Sequence, residues 1–468
     1  MEISLKKIST NKWLVEDGEK KRAKVIVYLD DQLVATVKKD RSLIQLLEAA
    51  KLPHILSPVV GMPDIHEGFG LPIGGVMAAE NLVSAGAVGM DINCGVRLLV
   101  SPLKYDPARF NQDFLRQLIR EIEREVPVGL GSRHQQSLGL NFEKIIVEGV
   151  PFLIKQGLGQ PGEEKMIEEE GCLSGARLEV LSDQAIKRAR NELGTLGSGN
   201  HFIEIQMVEE IFDDELCQKW GIFEDQICLM IHTGSRALGH QTCIDYTNRF
   251  FSQQSKFGIT VPNKNLAAVP QDSSLGQAYL SAMAGAVNFA FANRQLITHL
   301  IRQVFKKNFG PQGELRLIYD VAHNIAKWEE HQKKKVLVHR KGATRALPKN
   351  HPLIPKVYQS TGQPAIVPGS MGTSSFLMVG LPPAAETYFS INHGAGRAMS
   401  RGEAIRTIKL KDFESKMATV VYNRPFKMIV DEAPQAYKDI NLVVETLVKP
   451  GLSKKVCRLK PLTVIKGT

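Results

Sequence analysis

The stretch Met90-Asp91-Ile92-Asn93-Cys94-Gly95 organises this chain of 468 residues, because it sets a carboxylate and a thiol three residues apart between glycines. Residues 55–100, which contain it, carry a glycine every few positions among Val, Ile and Leu, as tight turns between short buried strands do. The stretch therefore predicts a polar turn between hydrophobic segments, and functional sites are often built on such turns.

Three histidines far downstream complete a possible set of metal ligands. His201, His232 and His323 each follow an apolar, strand-like run or a glycine turn, so each is expected where a strand ends at a cleft. With Asp91 and Cys94 they offer nitrogen, oxygen and sulfur ligands that suit Zn, Mn, Fe or Co, whereas Ca or Mg would need more oxygen. Singly, a buried cysteine or histidine is more often a core residue, but the shared glycine-rich context favours a metal site.

Composition predicts a soluble, cytoplasmic enzyme. The chain is 43% apolar and 23% charged, enough for a large core, and its six cysteines lack the paired spacing of disulfides or zinc knuckles. It has no run of eighteen apolar residues and no apolar signal core at its N-terminus, so neither membrane spanning nor secretion is expected. The net charge of +10 favours a polyanionic partner.

The hydrophobic pattern shows no clean domain linker. Strands are predicted over residues 24–29 and 32–37, and a surface loop over residues 130–139. The predicted helices cover residues 42–50, 106–128, 162–193 and 274–306, the last of them long, amphipathic and rich in small packing residues.

Basic residues cluster at three places. The lysine run 333–335 is as typical of a solvated face as of a binding surface. Residues 339–345 mix glycine and threonine with their cations, which suits phosphate capture. A third group, Lys187, Arg188 and Arg190, precedes the glycine-rich turn of residues 194–199.

A second constellation lies in the last third of the chain. Residues 368–375, Pro-Gly-Ser-Met-Gly-Thr-Ser-Ser, could cradle phosphates, although an ordinary surface turn has the same composition and the ending of a Walker loop is missing. In residues 392–397, Asn-His-Gly-Ala-Gly-Arg, glycines leave His393 approachable, so it could act as nucleophile, base or further ligand.

At these motifs the chain resembles the RtcB-type RNA ligases, also called tRNA-splicing ligases, almost from end to end. Besides the two constellations, the matching motifs are Gly61-Met62-Pro63-Asp64-Ile65-His66-Glu67-Gly68, the segment of residues 194–202, Gly234-Ser235-Arg236, His240-Gln241, residues 339–344, Asp431-Glu432-Ala433-Pro434 and Lys466-Gly467.

The resemblance implies a compact α+β fold, with residues 1–468 as a single large mixed domain whose β-sheets surround a deep dinuclear metal cleft. It also implies a GTP-dependent enzyme with two Mn²⁺ ions. Such an enzyme joins RNA with a 3′-phosphate or 2′,3′-cyclic phosphate to RNA with a 5′-hydroxyl, in tRNA splicing or RNA repair. An archaease-like activator is implied as a further partner of some members.

The resemblance also implies residue roles. By matching position, Asp91 and His201 would hold one metal, His232 and His323 the other, Cys94 would bridge both, and His393 would become guanylylated. Contacts to the guanylate and its metals would come from Asn200, His201, Glu204, His323, Asn324, Pro368, Gly369, Ser370, Met371, Ser375, Gly394, Ala395, Gly396, Tyr437 and Lys466. Candidates for binding RNA phosphates are Arg190, Arg236, Arg397 and Arg401.

Three residues depart from the commonest form of the family's pattern, namely Thr233, Ala237 and Asn392. Of these, Asn392 could alter the hydrogen bond that sets the tautomer of His393.

Two other functional classes would use part of the same features. A metal-dependent phosphoesterase or nuclease acting on RNA ends would activate water at the cluster and would need neither His393 nor Lys466. A basic RNA-binding scaffold would need only the charge and would tolerate the loss of Cys94. The joint presence of the ligands, the glycine-rich loop and His393 favours the ligase.

Overall fold

The computed structural model describes residues 3–19, 21–134 and 139–468, so the predicted loop over residues 130–139 lies partly outside the described residues. The strands are β1 (Ser4–Ser9), β2 (Lys12–Glu16), β3 (Val25–Tyr28), β4 (Ile55–His66), β5 (Ile73–Ala79), β6 (Val83–Ser84), β7 (Gly95–Lys104), β8 (Phe202–Ile211), β9 (Gln226–Thr233), β10 (Ala268–Val269), β11 (Arg316–Ala322), β12 (Asn324–His331), β13 (Lys334–Lys341), β14 (Ala343–Arg345), β15 (Pro364–Val367), β16 (Ser375–Gly380), β17 (Ser390–Asn392), β18 (Val421–Tyr422) and β19 (Ser453–Lys466).

The helices are α1 (Asp31–Val37), α2 (Ser42–Ala49), α3 (Ala85–Val88), α4 (Gln112–Glu125), α5 (Phe142–Lys155), α6 (Asp183–Ala189), α7 (Asp214–Trp220), α8 (Arg236–Gln253), α9 (Ser274–Phe309), α10 (Arg401–Thr407), α11 (Leu410–Met417), α12 (Phe426–Ile429) and α13 (Ile440–Val448).

Among the described residues, the strands form two large sheets and two separate strand pairs. The first sheet has the order β1-β2-β3-β4-β5-β13-β12, and the second has the order β11-β7-β9-β8-β19-β16-β15 with β18 beside β19. The separate pairs are β6 with β10 and β14 with β17. Most neighbours are antiparallel, and β3 with β4 and β18 with β19 are parallel. This mostly antiparallel arrangement, with helices packed against it, confirms the predicted α+β class.

Helix α9 confirms the helix predicted over residues 274–306. Ser273 caps its first turn by accepting a hydrogen bond from the Gly276 amide at 3.1 Å, and Gly310 ends it at a φ of 59°. The helix is not amphipathic along its middle, because every residue from 281 to 298 is buried. Helices α5 and α8 and strand β9 all contact it, so its small side chains face protein on every side.

Two other predictions of secondary structure are wrong. Residues 32–37 belong to helix α1, whose N-cap Asp30 accepts from the Gln32 amide and whose buried Leu33 and Val37 are one turn apart. Residues 162–193 contain short 3₁₀ turns before α6, because glycines with positive φ at 162, 171 and 175 interrupt a continuous helix. The predictions for β3, α2 and α4 are confirmed.

Within the described ranges, no helix combines the length and the apolar character needed to cross a membrane.

Candidate functional site

Four neighbouring strands bring the predicted metal ligands to one end of the second sheet. Each strand begins or ends beside one ligand, β7 after Cys94, β8 after His201, β9 at His232 and β11 before His323. In the register of the sheet, Gly95 lies opposite both Thr233 of β9 and Ala322 of β11. The strand order β11-β7-β9-β8 therefore explains why residues far apart in sequence meet.

The donor atoms of the five predicted ligands converge. His201 Nε2 lies 2.7 Å from Asp91 Oδ2, and Cys94 Sγ lies 3.5 Å from His201 Nε2 and 3.3 Å from His232 Nε2. His232 Nε2 lies 3.3 Å from His323 Nε2. Two groups result, Asp91 with Cys94 and His201, and Cys94 with His232 and His323, each with donor atoms within 4.8 Å of one another. Cys94 belongs to both groups, as a bridging ligand would.

Burial controls the protonation of this cluster. It lowers the pKa values of His232 and His323 well below the usual range, and neighbouring histidine charges add to the effect. Burial, with the Asp91 charge, raises the pKa of the Cys94 thiol well above its usual range. For Asp91, burial alone would raise the pKa, but the charge and hydrogen bond of His201 outweigh it and the pKa is lowered.

The cluster fits a borderline transition ion. The neutral imidazoles of His232 and His323 are the form that binds metals, and the Cys94 thiol would release a proton on binding. The Nε2 atoms of His232 and His323 and the Sγ of Cys94 lie within 4.8 Å of one another. A cation would satisfy all of them, and the set of nitrogen, oxygen and sulfur donors matches Zn, Mn, Fe or Co.

His393 faces the cluster from a different pair of strands, directly after β17. Its Nδ1 lies 2.6 Å from Asp64 Oδ2, and the same oxygen accepts from the backbone amides of His393 at 3.0 Å and Gly394 at 3.3 Å. Because a carboxylate only accepts hydrogen bonds, Nδ1 carries a hydrogen, and Nε2 is the ring nitrogen left for other chemistry. The ring centroid of His393 lies 4.8 Å from that of His323.

Asp64 and Lys438 are functional candidates that the sequence interpretation missed. Lys438 Nζ donates to the backbone carbonyls of Pro63 at 3.1 Å and Ile65 at 2.5 Å, and the Lys438 amide donates to Gly396 O at 2.9 Å. Burial lowers the pKa of Lys438 to about 8, against the charge of Asp64. Asp64 could have been found as the acidic residue of the matched motif over residues 61–68, whereas nothing in the sequence marked Lys438.

Asn392 does not touch the ring nitrogen of His393. Its Nδ2 donates to Gly394 O at 3.2 Å. The tautomer of His393 is thus set by Asp64 and not by Asn392.

Asp91, Cys94, His232, His323 and His393 line one cavity of about 380 Å³, a size that suits a small ligand. The predicted site residues in its lining are Asp91, Cys94, Asn200, His232, His323, Asn324, Pro368, Gly369, Ser370, Met371, His393, Gly394, Ala395, Gly396, Arg397, Arg401, Tyr437 and Lys466. His201, Glu204 and Ser375 are buried outside this lining.

The glycine-rich loop after β15 is tied to strand β8. The Gly369 amide donates to Ser375 Oγ at 3.2 Å, and Gln206 Nε2 donates both to Ser375 Oγ at 3.1 Å and to Glu204 Oε2 at 2.6 Å. Burial raises the pKa of Glu204 to about 8, against the Gln206 hydrogen bond and the charge of Lys466. The loop is therefore a positioned part of the cavity and not a free surface turn.

Glu432, which was not predicted as a site residue, joins several predicted contacts. It accepts from Tyr437 Oη at 2.5 Å, Lys466 Nζ at 3.3 Å and Arg397 Nη1 at 3.3 Å. Burial alone would raise the pKa of Glu432, but the charge of Lys466, the Tyr437 hydrogen bond and nearby arginines outweigh it and lower the pKa. Its signal was the matched Asp-Glu-Ala-Pro motif of residues 431–434.

The arginines predicted for RNA phosphates lie in different surroundings. Arg397 and Arg401 line the cavity, and both pair with Glu432. Arg236 is nearly buried behind the lining. Arg190 is exposed at the end of α6 and does not line the cavity.

The basic residues 339–345 do not form a free phosphate-binding surface, which corrects that expectation. Arg340 is fully buried and pairs with Glu329 at 2.6 Å, and Arg345 pairs with Glu168 at 3.3 Å. The reason is that β13 is buried on both faces from residue 336 to residue 341, and β14 is buried along its whole length. Lys341 of this cluster does line the cavity.

The chain is similar in sequence to known proteins over most of its length. The family model described as "tRNA-splicing ligase RtcB" matches residues 45–467. The "tRNA-splicing ligase RtcB" of Aeropyrum pernix is 42% identical over 99% of this chain and 100% of its own length, and that of Nanoarchaeum equitans is 44% identical over 100% of both. The "RNA-splicing ligase RtcB" of Mycobacterium bovis is 41% identical over 90% of this chain and 100% of its own length.

Proposed function

Because the chain belongs to the tRNA-splicing ligase RtcB family, we propose that it is an RNA ligase of tRNA splicing that uses GTP and two Mn²⁺ ions. It would join an RNA 3′-phosphate or 2′,3′-cyclic phosphate to an RNA 5′-hydroxyl. The observation that carries the proposal is His393, whose ring lies 4.8 Å from that of His323 across one cavity. A nucleophile beside a metal cluster is the arrangement that nucleotidyl transfer needs.

We assign one ion to Asp91, Cys94 and His201, and the other to Cys94, His232 and His323, in keeping with the two converging groups. When bound, such ions supply positive charge that neutralises phosphate oxygens during transfer. The donor set alone also suits Zn, Fe or Co, so the choice of manganese rests on the family resemblance.

His393 is the proposed nucleophile. Its Nε2 attacks the α-phosphorus of GTP, a phosphoramidate bond forms and pyrophosphate leaves. Asp64 holds the hydrogen on Nδ1, so Nε2 presents its lone pair and the ring can carry the positive charge that develops.

The later steps transfer GMP and then release it. An oxygen of the RNA 3′-phosphate attacks the phosphorus, the bond to His393 Nε2 breaks, and the RNA end becomes activated. The 5′-hydroxyl of the other RNA attacks the 3′-phosphate, a phosphodiester forms and GMP leaves. A cyclic phosphate is first opened by water to a 3′-phosphate and a 2′-hydroxyl.

The remaining cavity residues are assigned by their chemistry. The loop of residues 368–371 and the backbone of residues 394–396 would contact the guanylate phosphate and sugar. Tyr437, 5.2 Å from the Arg397 guanidinium, would flank the base, and Lys466 would contact the guanylate. Arg397 and Arg401 would bind RNA phosphates.

Two further predictions accompany this function. The six cysteines are free thiols, which supports the predicted cytoplasmic, reducing compartment. An archaease-like activator stays a prediction from the resemblance.

The test supplies the purified chain with two RNA strands, one ending in a 3′-phosphate and one beginning with a 5′-hydroxyl. We expect joined RNA that requires both GTP and Mn²⁺ and is lost in His393→Ala. Removal of the 3′-phosphate or shortening of a strand, without joining and without need for GTP, would instead identify the metal-dependent phosphoesterase or nuclease. RNA binding without either reaction would instead indicate an RNA-binding scaffold that is not an enzyme.

A further inference from the structure

Arg294 of α9 is fully buried, and its donors reach both backbone and side-chain oxygens of the segments that carry the ligands. Nη1 donates to Asn93 O at 2.9 Å and to Thr233 O at 2.7 Å, and Nη2 donates to Asn93 Oδ1 at 3.2 Å. Nε donates to Asp320 Oδ1 at 2.8 Å. One guanidinium thereby contacts three separate segments of the chain.

Each of these three segments bears predicted metal ligands. Asn93 stands between Asp91 and Cys94, Thr233 directly follows His232, and Asp320 lies on β11 three residues before His323. The angles between these segments are therefore fixed by one planar, rigid group.

The neighbouring Asn293 extends this support to the fourth segment. Its Oδ1 accepts from the amides of Gly194 at 2.7 Å and Thr195 at 3.2 Å, and its Nδ2 donates to Thr195 O at 3.1 Å and Gly234 O at 3.4 Å. Residues 194 and 195 open the turn that leads to His201. Consecutive residues of α9 thus hold all the segments that carry ligands.

We propose that Arg294 is a positioning residue of the metal centre, which holds the backbone of the ligand-bearing segments so that their side chains converge. This inference rests on the metal site of the proposed function. The fork shape is what matters, because a lysine would keep the charge but could not reach Asn93, Thr233 and Asp320 together.

Arg97 offers a matched control. It is equally buried and shares the same carboxylate, donating from Nε to Asp320 Oδ2 at 2.7 Å. Its other donor, Nη1, reaches the side chains of Gln295 at 2.7 Å and Thr298 at 3.0 Å. Within the described part of the chain, the hydrogen bonds of the Arg97 guanidinium all go to side chains and none goes to the backbone beside a ligand. A lysine at either position therefore disturbs the ion pair with Asp320, but only Arg294→Lys also removes the hydrogen bonds to the backbone carbonyls of Asn93 and Thr233.

The experiment compares the full chain with its Arg294→Lys and Arg97→Lys variants. We expect both variants to lose similar thermal stability when a chelator keeps the protein free of metal. Mn²⁺ affinity, measured by calorimetric titration, should fall about 10- to 100-fold in Arg294→Lys and stay near wild type in Arg97→Lys. The thiolate-to-metal absorption of the Co²⁺-loaded protein should weaken or shift in Arg294→Lys alone. Equal metal affinity and equal spectra in the two variants would overturn the proposal.

A second variant covers the case in which Arg294→Lys does not fold. Asn93 has a φ of 52°, so Asn93→Gly keeps a backbone conformation that glycine adopts freely. It removes both side-chain bonds of Asn93 to α9, the Oδ1 contact to Arg294 and the Nδ2 bond to Val287 O. We expect about tenfold weaker Mn²⁺ binding, and wild-type binding would contradict the proposal. A wild-type chain that binds neither Mn²⁺ nor Co²⁺ would instead defeat the proposed function itself.

Discussion

The cavity holds its histidines in two different ways on its two walls. On the ligand wall, formed by His232 and His323 with His201 outside the lining, the buried Nδ1 atoms of all three have no hydrogen-bond partner within the described part of the chain. On the nucleophile wall, formed by His393 and Asp64, Nδ1 is bound to a carboxylate at 2.6 Å. Histidine therefore serves two purposes here, as a proposed metal ligand and as the proposed nucleophile. The nucleophile needs a fixed tautomer before the nucleotide binds, because its Nε2 must present a lone pair.

The difference predicts where each wall obtains its order. The ligand wall is held through its backbone by α9, and its rings would gain their last constraint from bound ions. The nucleophile wall is held in place by contacts within the protein, without bound ions. Changes on one wall should therefore affect metal binding, and changes on the other should affect guanylylation.

The largest effect is expected for Asp64→Asn. The amide of Asn could donate to Nδ1 of His393 and would then favour the tautomer with hydrogen on Nε2. We expect the transfer of labelled GMP to the chain to slow about a thousandfold to ten thousandfold. Mn²⁺ affinity of the same variant should match wild type, and a loss of metal binding would show that the walls are not independent.

The ligand wall is broken by Cys94→Ser. Because Cys94 belongs to both donor groups, the variant should lose affinity for both ions, by more than about a hundredfold. His201→Ala should lose only one ion. The metal content per chain after desalting measures the loss of ions in each variant. Cys228→Ser is the control, because Cys228 is also buried, lies on β9 and belongs to neither donor group. Full metal content in Cys94→Ser would refute the bridging role.

A smaller effect on the nucleophile wall is expected from Lys438→Met. The variant loses the two hydrogen bonds from Nζ to the neighbours of Asp64, so the carboxylate should be held less well. We expect guanylylation to slow about tenfold, with partial recovery in Lys438→Arg and no change in metal content. An unchanged rate would mean that Asp64 is positioned without Lys438.

The smallest effect concerns pH and Glu204, which lies on β8 next to the ligand wall. Burial raises its pKa from 4.5 to about 8, so the folded chain keeps a proton that the unfolded chain has lost. This stabilisation is complete below pH 4.5 and is lost as pH rises to about 8, at no more than about 1.4 kcal/mol per pH unit. Chemical denaturation of metal-free protein should show this slope in wild type, and Glu204→Gln should lack it. Identical slopes would argue against a protonated Glu204.

The sequence predicted the site better than it predicted the surroundings. Asp91, Cys94 and the three histidines stand in short motifs whose chemistry is visible without a fold, and the strand ends bring them together. The partners that orient them are ordinary residues in ordinary segments. Arg294 and Lys438 owe their roles to contacts across more than 200 residues of sequence, and no local pattern records such contacts.

The errors have physical reasons too. The basic residues 339–345 were predicted to form a phosphate-binding surface because sequence composition does not reveal that β13 and β14 are buried on both faces there. Residues 32–37 were predicted as a strand because a short apolar run is compatible with both the strand and the helix periodicity. The N-cap by Asp30 favours the helix that the structure has.

The most direct measurement incubates the chain with Mn²⁺ and GTP labelled at the α-phosphate, denatures it, and asks whether label stays on the protein, with His393→Ala beside the wild type. We expect label that depends on Mn²⁺, is released by acid and is absent from His393→Ala. Equal label on His393→Ala, or none on folded, metal-loaded wild type, would contradict this expectation.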